Sequence, residues 1–250
     1  MLTDIYSTAY DRVQSECGAE QREFLRVIAE ARDMPLDWLD GTNCMFIPNN
    51  EFMLEFFGEH ILNYDCYRNG ICIWNNALIF PIRDVVDSVV GLAGFFPFDY
   101  LDPDVGNYYA YSSQSVFKKG NYLYFPKKNL KDAIHDGYLF ITDGMFDAIA
   151  ISAHGFNAAA MMGSTVTPII LMQLRLVKKV IVVADNDSAG YKLYDRLHRV
   201  LSNVLLFKQG FNKDIDGALK SEHKDEVLNM LLQEMEGEHF VRSDYSRVGY

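Results

Sequence analysis

The sequence predicts an α/β protein, α+β overall, in which a mixed N-terminal part precedes a part built on a parallel sheet. From Tyr138 onward, short apolar runs rich in β-branched residues alternate with helix-like segments, as in a parallel sheet covered on both faces. Residues 70–126 instead hold several strand-like runs in succession, and residues 1–40 have helical periodicity. These three observations together define the fold class.

The first helix is predicted from the spacing of apolar residues and from the residue that ends it. In the run 19–33, Phe24 and Ile28 share one stripe while charged residues take the other faces, which is typical of a surface helix. Pro35 ends this helix because it cannot continue the backbone hydrogen bonds. The L-D-W-L-D run that follows predicts a short turn with a buried Trp38.

A second helix and three strands are predicted next. Asn49 or Asn50 is a candidate cap for a helix through E-F-M-L-E-F-F-G-E-H, because a short amide side chain can accept the first N–H groups of a helix. The run I-C-I-W-N-N-A-L-I-F-P-I-R-D predicts two strands joined by a tight turn near Asn75 and Asn76. The run V-V-G-L-A-G-F-F predicts a third strand.

An aromatic-rich region, residues 95–125, permits two interpretations. It is either a stacking platform for single-stranded bases or a β-rich core with tyrosine hydroxyl groups at its rim. Basic residues are sparse in this region, whereas a stacking groove normally adds a cationic track. The sequence therefore favours the core.

A polar run at 127–137 marks the change between the two parts of the chain. We place a helical and β-rich subdomain at 1–130, a parallel-sheet subdomain at 131–220, and an acidic helix with a polar tail at 221–250. After the boundary, the order is strand, helix, strand, helix, strand, helix and strand. A short helix that opens at Asp214 and an acidic helix at about 223–236 end the pattern.

Local signals set the ends of several elements in this second part. Gly155 stands where a left-handed C-terminal cap would follow the helix that begins at Met145. Thr167 and Pro168 begin another helix, with threonine as the cap and proline at the first helical position. The run V-K-K-V-I-V-V-A is the strand that leads to Asp185.

Aspartates follow the predicted strands, at the edge where parallel sheets bind ligands. Asp143 ends one strand, and Asp185 and Asp187 end another. These carboxylates would repel one another unless a cation lay between them, so the pattern predicts a magnesium site for phosphate chemistry. Further aspartates stand nearby in the same pattern, namely Asp147, Asp214 and Asp216. Capping alone could explain Asp214 and Asp216.

Composition limits the functions that the chain can have. The net charge of −11 argues against a general nucleic-acid coat, although a bound metal can reverse the local charge of an acidic site. No apolar run approaches the roughly 20 residues that cross a bilayer, and no signal peptide is evident. The cysteines form no C-x-x-C pair. We therefore expect a cytoplasmic protein with reduced cysteines and no membrane partner.

The motifs T-D-G-M-F-D, M-G-S-T, V-V-A-D-N-D-S-A-G and K-D-I-D resemble the signature of the TOPRIM fold. That fold is shared by bacterial DnaG-type primases, topoisomerases and some nucleases. The order and spacing are most similar to the primases, and F-P-I-R-D, V-V-G-L-A-G-F and S-V-F-K-K-G-N-Y-L-Y resemble the primase subdomain before TOPRIM. The resemblance covers roughly residues 78–220. It implies a phage-like DNA primase core, a nucleotidyltransferase of DNA replication.

The resemblance also implies roles for individual residues. Asp143, Asp185 and Asp187 would be catalytic, and Mg²⁺ or Mn²⁺ would be held by these three with Asp147 and the K-D-I-D pair. Arg83, Lys119 and Lys213 would contact nucleotide or template; these three basic residues remain in the sequence. The implied partners are a single-stranded DNA template, ribonucleoside triphosphates, and a replicative helicase or a separate zinc-binding protein.

Departures from the family pattern leave two other functions open. Asp143 stands where primases carry glutamate, and Tyr108 and Tyr111 stand where they carry lysine and asparagine. A metal-dependent TOPRIM nuclease would use the same acidic residues to cleave a strand. A catalytically weak TOPRIM protein that binds replication partners would fit the lost contacts and the acidic charge.

Overall fold

The structure is a computed structural model that describes most of the chain. The described residues are 2–59, 61, 67–68, 71–72, 74–95, 109–112, 119–163, 165–185 and 188–237. Among them, no helix is both long and apolar enough to cross a membrane.

The N-terminal part is a four-stranded antiparallel sheet with helices packed against it. Its elements are α1 (Leu2–Ala31), a 3₁₀ turn (Leu36–Leu39), β1 (Met45–Ile47), α2 (Asn50–Phe57), β2 (Tyr67–Arg68), β3 (Ile71–Cys72), β4 (Ala77–Arg83), β5 (Val89–Phe95) and β6 (Tyr109–Ser112). The order in the sheet is β1-β4-β5-β6. The turn that buries Trp38 and the Asn49 cap are confirmed, since the Asn49 side chain accepts from the Phe52 N–H at 2.8 Å.

The helical start of the chain is confirmed: α1 has a kink at Cys17, where the backbone leaves helical angles, and its second half covers most of the run 19–33. One prediction for this part was wrong. The strands on either side of Asn76 do not pair with each other: β3 pairs with β2, while β4 pairs with β1 and β5. Asn76 does adopt the left-handed backbone that a turn requires. The alternation of apolar residues predicted the strands, but a local pattern carries no information about their partners.

The second part is a five-stranded sheet with helices on both faces. Its elements are a 3₁₀ turn (Lys119–Asn121), β7 (Leu123–Tyr124), α3 (Leu130–Asp136), β8 (Tyr138–Thr142), α4 (Met145–Ala153), β9 (Ala158–Met161), α5 (Pro168–Arg175), β10 (Lys179–Val183), α6 (Ser188–His198), β11 (Val204–Phe207), α7 (Ile215–Lys220) and α8 (Lys224–Glu236). The order is β11-β10-β8-β9-β7. The strands β8, β9, β10 and β11 are parallel, as predicted, and β7 joins the edge antiparallel.

One hydrophobic core connects the two parts. It includes Ile28 of α1 and Phe80 of β4 together with Phe140 of β8 and Ile149 of α4, all at most 1% exposed. The strand β7 precedes the boundary predicted at residue 130 yet pairs with β9. The boundary itself stays a prediction, but packing is continuous across it.

A buried glutamine fastens α1 to the first sheet. The Gln21 side chain, 2% exposed, donates to the Phe46 carbonyl and accepts from the Phe46 N–H, both at 2.9 Å. It thereby satisfies the outer main-chain groups of edge strand β1, which would otherwise be buried without these bonds.

We expect Gln21→Met to lower the free energy of unfolding by about 2 kcal/mol or more, because two buried main-chain groups lose their hydrogen bonds. Urea denaturation measures the change. Gln14→Met is the matched control, because Gln14 is exposed on the same helix. Equal stability of the two variants would show that the Gln21 contact contributes nothing.

Candidate active site

The acidic residues lie where the two central parallel strands end. In the pairing of β8 with β10, Ile141 lies opposite Val182. Asp143 and Asp185 therefore follow neighbouring strand ends at one edge of the sheet. Asp143 is exposed, and Asp185 is partly buried. The parallel register thus brings to one place two carboxylates that are 42 positions apart in the sequence.

Asp147 lies in the first turn of α4 and is the most perturbed carboxyl group of this edge. Its Oδ1 accepts from the Asp216 backbone N–H at 3.2 Å. Burial, with repulsion from Asp185, raises the pKa of Asp147 from 3.8 to about 8. In the folded protein without a cation, this group therefore holds a proton well above the usual carboxyl range.

Gly144 makes room for this carboxyl group. A Cβ atom at position 144 would lie 2.4 Å from Oδ2 of Asp147, closer than atoms can approach. Because only glycine lacks that atom, the residue between Asp143 and the helix allows Asp147 to point back toward the strand end. The glycine of T-D-G-M-F-D is therefore required by the position of the Asp147 side chain.

Asp214 and Asp216 flank the start of α7 and already have protein partners. Asp214 caps α7, and its Oδ1 accepts from the Gly217 N–H at 2.8 Å. The Asp216 carboxylate lies 3.1 Å from Nζ of Lys220 and 3.6 Å from the Arg32 guanidinium. Burial nevertheless raises the pKa of Asp216, because it outweighs these two cations.

Arg32 is the residue at this site that the sequence did not reveal. It follows the last residue of α1, and its guanidinium stacks 3.7 Å from the centre of the Phe146 ring while it faces Asp216. Its carbonyl also accepts from Nζ of Lys220 at 3.2 Å. Nothing local marks Arg32, because its partners come from a segment more than a hundred residues away.

The remaining predicted residues lie in different places. Asp187 falls outside the described residues, and only the backbone of Lys119 is described. Lys213 is exposed on the loop before Asp214. Arg83 lies at the end of β4, where its Nη1 donates to the Asp87 carbonyl at 3.0 Å.

The donor set fits a divalent cation in its chemistry. Carboxylate oxygens are the ligands that Mg²⁺ and Mn²⁺ prefer. Burial and the nearby Asp185 oppose ionisation of Asp147, and a bound cation would favour its ionised form. Among the described residues, which exclude Asp187, no three His, Cys, Asp or Glu side chains converge closely enough to hold a metal. The six-aspartate metal site stays a prediction.

Comparisons with known proteins show which family model and which relatives the chain resembles. Residues 140–219 match the family model described as Toprim-like. The DNA primase of Legionella pneumophila is 30% identical over 202 residues, which cover 74% of this chain and 33% of that protein. The first match, the primase of Rickettsia felis, is 28% identical, and 26% of its length is covered. The chain thus spans about a third or less of these curated relatives.

Solved structures show the same fold. The RNA polymerase domain of Mycobacterium tuberculosis primase DnaG aligns over 92% of this chain and 83% of that chain, with a TM-score of 0.70 and 17% identity. A DnaG primase catalytic domain bound to ssDNA aligns over 92% and 82%, with a TM-score of 0.63 and 20% identity. The chain has a Toprim-like domain within the fold of the DnaG catalytic core, so the predicted fold and resemblance are confirmed.

We expect the free energy of unfolding of the metal-free protein to fall as the pH rises from about 4 to about 8. The raised pKa of Asp147 means that the folded state binds a proton which the unfolded state has released. This stabilisation is complete below pH 4 and is lost as the pH passes through about 8. Asp216, whose pKa is also raised, acts in the same direction.

Urea denaturation in EDTA at a series of pH values measures this loss, which should be on the order of a few kcal/mol. Asp147→Asn should flatten the profile, because asparagine can still accept from the Asp216 N–H without ionising. Asp195→Asn, on an exposed position of α6, should keep the original slope. An unflattened profile in Asp147→Asn would contradict the assignment.

Proposed function

We propose that this chain is the catalytic core of a DNA primase, a DNA-directed RNA polymerase that joins ribonucleotides into short primers on single-stranded DNA. The observation that carries the proposal is the acidic edge, where Asp143, Asp147 and Asp185 follow or flank the ends of β8 and β10. That edge lies in a chain whose curated relatives are DNA primases and whose fold is that of the DnaG core.

The residues of the edge divide the chemistry between them. Asp143 is exposed and can approach the attacking 3′-hydroxyl group as a general base or as a metal ligand. Asp147 is held by the Asp216 N–H, so its carboxyl group is oriented before substrate binds. We assign the divalent cation to Asp143, Asp147 and Asp185, with Asp187 as a further ligand. Bound Mg²⁺ or Mn²⁺ would neutralise triphosphate charge and lower the pKa of the attacking hydroxyl group.

Asp214 and Asp216 border that centre, since the Asp216 N–H donates to Asp147. The cap at Asp214 fixes the start of α7, and Asp216 is neutralised in part by Lys220 and Arg32. Their carboxylates are engaged with the protein, and this supports a positioning role. Lys213, exposed beside them, is available to a triphosphate.

The template and its partners complete the proposal. The similarity to a DnaG catalytic domain bound to ssDNA supports a single-stranded template. The net charge of −11 gives the chain little general affinity for phosphates. We therefore propose that a replicative helicase or a separate zinc-binding protein assists template binding, in the cytoplasm where replication takes place.

We expect Asp143→Ala to lower primer synthesis at least about a hundredfold, as the loss of a general base or metal ligand commonly does. The assay contains single-stranded DNA, four ribonucleotides and Mg²⁺ or Mn²⁺. Asp195→Asn is the control for the loss of one surface carboxylate. Shortened template in the wild-type reaction would indicate a nuclease, and neither product would indicate a protein that only binds partners.

Mg²⁺ or Mn²⁺ should raise the Tm of the wild-type protein, because a ligand that binds only the folded state stabilises it by mass action. The double variant Asp185→Asn, Asp187→Asn should lose this response while Asp195→Asn keeps it. A Tm that rises equally in the double variant would place the cation elsewhere.

The isolated chain should bind single-stranded DNA weakly and with strong salt dependence, because phosphate contacts supply most of such affinity. Fluorescence anisotropy with a labelled oligonucleotide measures the binding, and primer assays with added helicase or zinc-binding protein measure stimulation. Submicromolar binding at physiological salt, with sequence-selective primer starts and no partner, would contradict the need for assistance.

A further inference from the structure

A polar pocket of about 190 Å³ lies where the two sheets meet, away from the acidic edge. It runs between the end of β4 and the segment that follows β7. Three basic side chains line it, namely Arg83, Lys127 and Lys128. Among the described residues that form its wall, none is an aspartate of the acidic edge. This group of residues is called the junction pocket below.

The two carboxylates of the junction pocket are occupied by the protein itself. Asp84 accepts from the N–H groups of Val86 and Ser88 at 3.0 and 2.9 Å, which fixes the turn between β4 and β5. Asp87 lies 3.7 Å from the Arg83 guanidinium. Both carboxylates therefore have partners within the protein. Lys127 adds an exposed positive charge to the rim of the pocket.

Lys127 is held along the wall of the pocket. A Cβ atom at Gly41 would lie 3.7 Å from Cγ of Lys127, so the lysine stem passes directly over this glycine. Gly41 has a φ of +78°, a conformation that favours glycine. The stem of Lys127 is packed, and its ammonium group remains exposed for a ligand.

Aromatic and amide groups supply the rest of the lining. The rings of Tyr122 and Phe125 line the pocket and are partly buried. Asn129 and Gln173 add amide groups. Aromatic faces with nearby cations are the combination that holds single-stranded nucleic acid, since bases stack on the rings and phosphates meet the cations.

The size of the pocket limits its ligand. A volume of about 190 Å³ is smaller than the roughly 300 Å³ at which pockets for drug-sized molecules begin. It has room for one base with part of its sugar and phosphate. The pocket includes the turn before β5, whereas Phe95 at the other end of β5 packs against Arg32 beside Asp216. A strand of this length spans about 20 Å, so a DNA strand that occupies the pocket would reach the acidic edge over several nucleotides.

We propose that the junction pocket binds one nucleotide unit of a DNA single strand, with its base against Phe125 and its phosphate at Lys127 and Arg83. The assignment rests on the proposed primase function, because it treats the strand as the template that also reaches the acidic edge. A nucleotide unit could equally come from a free ribonucleotide, so the test separates the two sources.

The test measures binding of a labelled oligo-dT and of labelled ATP to the full chain across a range of salt concentrations. Lys127→Ala should weaken oligo-dT binding and reduce the slope of log K against log salt by about 0.7, the value of one phosphate contact on a single strand. Lys131→Ala, an exposed lysine on α3 outside the pocket, should leave the slope unchanged. Equal slopes for both variants would overturn the phosphate contact.

The stacking contact has a separate readout. Phe125→Leu keeps apolar bulk and should weaken oligo-dT binding at least about fivefold, the lower end for one stacked base. The same variant should bind an abasic strand of equal length as tightly as the wild type does. Equal weakening for both strands would indicate a folding defect and overturn the stacking contact. If Lys127→Ala or Phe125→Leu lost ATP binding but kept oligo-dT binding, the pocket would bind a free ribonucleotide. That result would overturn the assignment to a DNA strand.

Primer synthesis measured in parallel separates this proposal from the proposed function. Oligo-dT binding that depends on Lys127 without any primer synthesis would support the pocket and reject the primase. Primer synthesis that is indifferent to Lys127 and Phe125 would reject the pocket alone.

Discussion

The arrangement of the site depends on the parallel pairing of β8 with β10. This register places Asp143 and Asp185 at adjacent strand ends, and α4 then brings Asp147 back into the same space. Burial, together with repulsion from Asp185, opposes the ionisation of Asp147 and raises its pKa to about 8. The fold therefore holds at one edge of the sheet a carboxyl group that resists ionisation, and a divalent cation bound there would favour its ionised form.

The N-terminal part contributes to that edge through one residue. Arg32, at the end of α1, stacks on Phe146 and faces Asp216, and its carbonyl accepts from Lys220. The helix α1, which precedes Arg32, is fastened to β1 by the side chain of Gln21. The first sheet thus does more than cover the second, because its helix places a cation beside the acidic residues.

The sequence predicted the fold class and the parallel strands, because these follow from local apolar patterns and from the residues that end strands. It did not predict that β3 and β4 lie in different sheets, since pairing depends on distant segments. Arg32 was missed for the same reason. The spacing of Asp214 and Asp216 likewise could not reveal their protein partners, a helix N–H and the Lys220 ammonium group, and their role as metal ligands stays a prediction.

The contact between Lys220 and the Arg32 carbonyl joins residues 188 positions apart, and this has a consequence for synthesis on the ribosome. At about 5–20 residues per second, roughly 10 to 40 seconds separate the appearance of the two residues. Within that interval, from the synthesis of Phe80 until that of β8 and α4, the apolar surface of Ile28 and Phe80 lacks the side chains that later cover it. The nascent N-terminal half is therefore a natural client for chaperones that bind exposed apolar chain.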